Sequence, residues 1–326
     1  MKSKLAALCT YMKGKVAVDT LDEYTYISTE NMIPNKGGIE RASSLPSTQY
    51  TQAFDLGDVL VSNIRPYFKK IWMAEYSGGC SNDVLVFRAS KGCDPTFLYY
   101  VLANNSFFDY ATATSKGTKM PRGDKTAIMQ YEVPAFDIAT QQRIGRLLKG
   151  IDTRIVTNKK INDNLAELLQ TVYQERFGDV SAATEQGMLS DICSYSRDRV
   201  AVSELNASTY FSTENMLPGK AGATEAASLP TIPQTTACHK GDTLISNIRP
   251  YFKKIVYCED RCGCSTDVLC FTPVQPKYAA YLFSTLYADK FFAFMVAGSK
   301  GTKMPRGDKQ PVSYTHLRAH ETDQYL

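Results

Sequence analysis

Residues 4–125 of the chain can be laid over residues 188–309 without a gap, each residue n meeting residue n+184. A period this long is far beyond a solenoid unit, so it marks a duplicated domain, and whatever fold one copy adopts the other must adopt too. The decapeptide Ser62-Asn63-Ile64-Arg65-Pro66-Tyr67-Phe68-Lys69-Lys70-Ile71 returns unchanged as residues 246–255. Ser115-Lys116-Gly117-Thr118-Lys119-Met120-Pro121-Arg122-Gly123-Asp124-Lys125 returns unchanged as residues 299–309. Residues 36–54, by contrast, differ widely from residues 220–238. The copies agree in blocks.

Within a copy, Gly57-Asp58 followed by Val59-Leu60-Val61-Ser62 reads as a turn feeding a strand, and Asp83-Val84-Leu85-Val86-Phe87 as another. Residues 96–110 carry apolar side chains at helical intervals and predict one amphipathic helix, and residues 128–133 predict a further strand closed by Pro134. Between the copies the pattern changes to one long helix, from Asp137 as N-cap to Phe177 before Gly178. Steps of four and three link Ile144, Leu148, Ile151, Ile155, Asn158, Asn162, Leu165, Leu169 and Val172 into a coiled-coil-type seam, in which the asparagines are inserts that fix register or partner. About 40 residues at ~1.5 Å each make a rod of roughly 60 Å. The fold class that follows is α+β: two homologous mixed α/β domains, residues 1–136 and 181–312, joined by the helix over residues 137–180. No second long helix follows Lys309, and residues 313–326 match nothing in the first copy. They are expected to be a foreign or disordered tail on a chain that lacks its second helix.

At 326 residues and 44% hydrophobic composition the chain can bury ordinary cores. No apolar run reaches the ~18 residues of a membrane helix, and the N-terminus has no signal-type core, so a cytoplasmic protein with no membrane partner is expected. Its nine cysteines then read as buried thiols rather than disulfides.

The net charge of +4 names no partner, but its placement is one-sided. The repeated blocks hold Arg65, Lys69, Lys70, Lys116, Lys119, Arg122 and Lys125 in the first copy and Arg249, Lys253, Lys254, Lys300, Lys303, Arg306 and Lys309 in the second. Only Asp124 and Asp308 oppose them. Such blocks suit a phosphate backbone, and these residues are the candidate DNA contacts. The Ser115–Lys119 loop, with its glycine, hydroxyl and two ammonium groups, has the inventory of a phosphate grip but not a Walker P-loop, so nucleotide hydrolysis is not expected. Arg65 and Arg249 precede proline, which predicts an extended backbone projecting the guanidinium from a strand end. Tyr67 and Phe68 would suit a nucleic-acid surface, although strand-end aromatics more often belong to a core. Cys258, Cys262 and Cys264 cluster in the second copy, but Ala74, Gly78 and Cys80 stand at the mated positions, so no metal site is expected. His239 faces Asp55 in the alignment, and no histidine-based catalytic set is visible. Arg122-Gly123-Asp124 reads as a turn, and neither an N-P-P-Y-type methyltransferase motif nor a glycine-rich cofactor fingerprint is present.

Four motifs in this order carry a resemblance: Tyr26-Ile27-Ser28-Thr29-Glu30-Asn31-Met32; Gly57-Asp58-Val59-Leu60-Val61-Ser62 with Arg65-Pro66; Cys80-Ser81-Asn82-Asp83-Val84; and Val133-Pro134 before Gln141-Gln142-Arg143-Ile144. All but the last recur in the second copy. With the helix between, the chain resembles the specificity subunit of a type I restriction-modification system. Gln141-Gln142 departs from the Glu-Gln common in that family, and the second helix is lacking. The resemblance implies two target-recognition domains, each reading half of a bipartite site in double-stranded DNA, and helices that dock methyltransferase subunits. It implies a restriction subunit as a further partner, with S-adenosylmethionine and ATP used by the partners, and no catalysis or cofactor in this chain. Since the candidate contact blocks are identical, the two half-sites are expected to be closely similar and inverted. The competing readings are an enzyme with its own recognition domains, which the missing catalytic motifs oppose, and a coiled-coil scaffold that ignores DNA.

Overall fold

A computed structural model describes residues 2–177, 186–301, 305–307 and, for the backbone, 316–318. The molecule is α+β, two homologous mixed domains on one chain with a 40-residue helix, Ile138–Phe177, between them. Contacts divide the chain into residues 1–159 and 160–326, so each unit takes a share of that helix.

In the first unit Cys9–Tyr11, Val84–Ala89, Val59–Ser62 and Ile71–Met73 lie side by side in one antiparallel sheet. A second sheet orders Lys15–Ala17, Tyr50–Phe54, Gly78–Cys80 and Tyr26–Ile27, the last pair parallel. Lys2–Lys4 pairs with Glu132–Pro134. The second unit repeats each ladder at n+184: Val59 faces Phe87, and Thr243 faces Phe271. Likewise Gln186–Met188 pairs with His316–Arg318, three residues of the segment set apart as a tail, at the mated register. The remaining residues of that segment lie outside the described ones.

Alternation along the strands builds two cores in the first unit. Val59, Val61, Leu85 and Phe87 point to one face and pack with Phe97, Leu98, Phe107 and Phe108. Leu60, Val84 and Val86 point to the other, where Phe54 and Trp72 fill the space. Each large apolar side chain buried here contributes about 1.5–3 kcal/mol.

Two expected elements are divided differently. Residues 96–110 form not one helix but two, Pro95–Leu102 and Asn105–Ala113, because the Asn104 side chain accepts from Ser106 N–H and caps a new start. Residues 128–133 open as the end of a short helix, Lys125–Met129, capped by Asp124, before the strand Glu132–Pro134. The long helix begins where expected: Thr140 N–H donates to Asp137 Oδ1 at 2.8 Å. Its seam is exposed at Ile151, Ile155, Leu165 and Val172 and half-buried at Ile144, Leu148 and Leu169, with Ile144 packed against the first unit's core. No described helix is long and apolar enough to cross a membrane.

Candidate nucleic-acid interface

The repeated decapeptide is a strand end followed by a tight loop. Val59–Ser62 is buried along its length, and the chain leaves it through Asn63, whose N–H donates to Asp83 carbonyl at 2.8 Å. Arg65 then adopts a left-handed backbone, φ 49°, instead of the extended one that proline predicts; Arg249 does the same at φ 51°. The reason is the single 3-10 turn Pro66–Phe68, entered and left through left-handed residues, Arg65 and Lys69. Phe68 N–H donates to Arg65 carbonyl and Arg65 N–H to Pro121 carbonyl, and these bonds hold a conformation that L residues otherwise avoid.

This turn pushes the aromatics outward. Tyr67 and Phe68 are 47% and 40% exposed, Tyr251 and Phe252 50% and 39%, so neither pair belongs to a core. The rings of each pair lean on one another, with centroids 4.8 Å apart in the first domain and 4.7 Å in the second.

The second repeated block folds against the first. Lys116 and Arg122 exchange backbone hydrogen bonds as a narrow hairpin, and Arg122 bridges back to Ile64. Gly123 is needed at this crossing, since a Cβ there would stand 2.8 Å from Asn63 Oδ1. Arg65 Nη2 reaches Lys119 carbonyl at 3.5 Å, and Arg122 Nε donates to Asp83 at 3.1 Å; Arg306 pairs with Asp267 in the same way. Lys116 holds Asp124 at 2.6 Å and keeps its carboxyl below the usual range. Lys70 and Lys254 donate to the Thr29 and Thr213 carbonyls. Lys69 donates to Asn105, and Lys253 pairs with Asp289. Lys119 and Lys125 are exposed, Lys300 pairs through its backbone with Arg306, and Lys303 and Lys309 lie outside the described residues.

Thus Arg65, Lys69, Lys70, Lys116, Lys119 and Arg122 surround one aromatic turn. Two polar atoms in each copy are buried there without a hydrogen bond, Asn63 Oδ1 and Arg65 Nε, and likewise Asn247 Oδ1 and Arg249 Nε. A segment that the motifs alone did not single out also docks here: Asn35 and Lys36 N–H groups donate to the Phe68 and Lys69 carbonyls, as Gly219 and Lys220 do to Phe252 and Lys253. The divergent segment therefore begins against the least variable loop.

All nine cysteines are buried and free. Among the described residues no group of histidine, cysteine and carboxylate side chains is arranged to hold a metal.

The family model for the type I restriction modification DNA specificity domain matches residues 4–167, half of the chain. The chain belongs to that family. The specificity subunit of the type I restriction enzyme EcoDI from Escherichia coli is 27% identical over 140 residues, which is 41% of this chain and 31% of that protein. The match therefore spans about a third of that relative's length. The crystal structure of a type I restriction-modification S subunit from M. genitalium superposes with a TM-score of 0.59 at 16% identity, over 97% of this chain and 83% of that one. That likeness bears on the fold. The mixed α and β fold of this specificity-family chain is like that subunit's.

Proposed function

We propose that this chain is the DNA-specificity subunit of a type I restriction-modification complex, and that its two domains each read one half of a bipartite site in double-stranded DNA. One observation carries the reading: the same cationic, aromatic-tipped loop is built twice, with its rings exposed and buried donor and acceptor atoms left unpaired in both copies. Exposed rings beside guanidinium and ammonium groups suit a surface that meets phosphates and base edges. The apolar seam residues exposed at Ile151, Ile155, Leu165 and Val172 suit docking of methyltransferase subunits, to which a restriction subunit is added. S-adenosylmethionine and ATP chemistry belongs to those partners in this reading; this chain catalyses nothing itself and works in the cytoplasm.

The test uses the chain assembled with its methyltransferase subunits. Replacing Arg65 and Arg249 together by alanine should abolish site-specific methylation while circular dichroism and melting stay near those of the wild type. Methylation that persists at the same sites would overturn the assignment of the loop. If the pair unfolds the protein, Tyr67→Ala with Tyr251→Ala decides, because these exposed rings support no core.

A further inference from the structure

The two loops are identical in sequence but not in what stands behind them. In the first domain Lys69 Nζ donates to the neutral Asn105 at 3.2 Å, at the start of the helix Asn105–Ala113. In the second, the residue at n+184 is Asp289, and it draws in two cations: Lys253 at 3.0 Å and Lys220 at 2.7 Å. Lys220 is further held over the Tyr287 ring, 4.5 Å from its centroid, and its side chain is only 13% exposed. Its mate Lys36 has Ala103 where that ring would be, and it is exposed. Among the described residues neither Lys36 nor Lys69 makes an ion pair. At the helix start behind the loop, the first domain thus sets Lys36 and Lys69 with no carboxylate paired to either, and the second sets Lys220 and Lys253 with Asp289 paired to both.

We propose that the surface formed by Lys36, Lys69 and Asn105 in the first domain takes a DNA backbone phosphate that the second domain, closed by Asp289, does not. This rests on the DNA-binding reading above and makes position 105/289 a determinant of how firmly each domain grips the backbone of its half-site, although the loops themselves are letter-identical. The physical reason is local. An exposed ion pair such as Lys253–Asp289 is weak enough for an approaching phosphate to break. The freed carboxylate nevertheless stays within a few ångströms of the incoming charge. Lys36 and Lys69 meet the phosphate with no such opposition. Asp289 is held below the usual carboxylate range by Lys220 and Lys253, so it keeps its charge throughout.

The measurement is the salt dependence of binding of the full chain to a labelled DNA duplex of arbitrary sequence, followed by fluorescence anisotropy. Each phosphate contact contributes about 0.9 to the slope of log affinity against log salt. Asn105→Asp should flatten the slope by about 0.9, and Asp289→Asn should steepen it by about 0.9. A carboxylate at a helix N-terminus is favourable, so Asn105→Asp is not a folding variant. In parallel, Lys69→Gln should weaken binding more than Lys253→Gln. Unchanged slopes in both position-105/289 variants, or equal losses for the two lysines, with wild-type binding retained, would overturn this inference and leave the proposed function standing. Failure of the wild-type chain to bind DNA at any salt concentration would overturn both.

Discussion

The cores around Leu60 in the first domain and Leu244 in the second solve one packing problem with different chemistry. In the first domain Phe54, Trp72 and Tyr76 pack as an aromatic trio, with centroid distances of 5.9 Å, 6.2 Å and 5.1 Å. In the second, Cys238, Val256 and Asp260 stand at those places, and Cys258, Cys262 and Cys270 replace Ala74, Gly78 and Val86. These exchanges are linked. A Cβ on Gly78 would run into the Thr25 carbonyl oxygen and sit 2.8 Å from Phe54 Cζ, so a side chain can enter there only when that backbone shifts and the ring leaves. Cys262 has entered, and its Sγ lies 3.5 Å from that of Cys258. The strand ladders keep their register throughout, so backbone pairing and alternation fix the fold while the filling is free to change.

The largest effect should come from breaking that linkage. Phe54→Cys alone leaves a cavity in the first domain and should cost about 3 kcal/mol, read from denaturant unfolding of the full chain. The reverse change, Cys238→Phe, overfills the second domain and should cost about 1–3 kcal/mol. Adding Cys262→Gly to it should recover most of that loss. If the two second-domain changes are additive, the packing linkage inferred from Gly78 is wrong.

A second contrast is electrostatic. In the first domain the buried Asp58 is held by Arg88, whose guanidinium also reaches Asp55, at 2.6 Å in each case. In the second, Arg88 has become Thr272 and Asp55 has become His239. Asp242 is 1% exposed, its Oδ1 has no partner, and the Thr272 hydroxyl beside it makes no hydrogen bond of ordinary geometry. Burial first, then the neighbouring Cys270, pushes this carboxyl up to about 7, against the pull of the His239 N–H. The folded domain therefore holds a proton that the unfolded chain releases near its ordinary value of 3.8. This group's contribution to stability should be full below pH ~4, fall as pH rises toward ~7, and level off above, by roughly a few kcal/mol in all. Melting temperatures across that range check the slope, and Asp242→Asn should flatten it. Restoring the first domain's set with Thr272→Arg and His239→Asp should remove it too.

Much of this was legible in the residues. The n+184 register carried over ladder by ladder, and the long helix starts at the cap that Asp137 supplies. What was not legible depends on bonds between distant segments and on local capping choices. Proline after Arg65 argues for an extended backbone, yet the Pro121 carbonyl and the 3-10 turn select a left-handed one. The break at Asn104 is a capping choice that apolar spacing at 97, 98, 101 and 102 does not reveal. Asp124 likewise starts a helix whose end overlaps the strand expected from residue 128. For the site, the cations could be named from the repeat, but the contrast at 105 and 289 appears only once a helix start lies beside Lys69 and Lys253.

The smallest expected effect lies where the shared loop meets the divergent segment. Asn35 and Gly219 both have a left-handed backbone, at φ 56° and 68°, and both donate to the carbonyl of the exposed phenylalanine. Asparagine tolerates that region and glycine takes it freely, so the different residues serve one backbone shape. Asn35→Gly and Gly219→Asn should each shift stability by no more than about 0.5 kcal/mol. Gly219→Val should cost more, about 1–2 kcal/mol, because a β-branched residue resists a positive φ. Open space surrounds the Gly219 Cβ position, so any such cost is backbone strain and not a clash. A penalty for Gly219→Asn as large as for Gly219→Val would mean that the anchor tolerates glycine alone. In that case the first domain must hold its turn by another means, and the divergent segments would differ in backbone as well as in side chains.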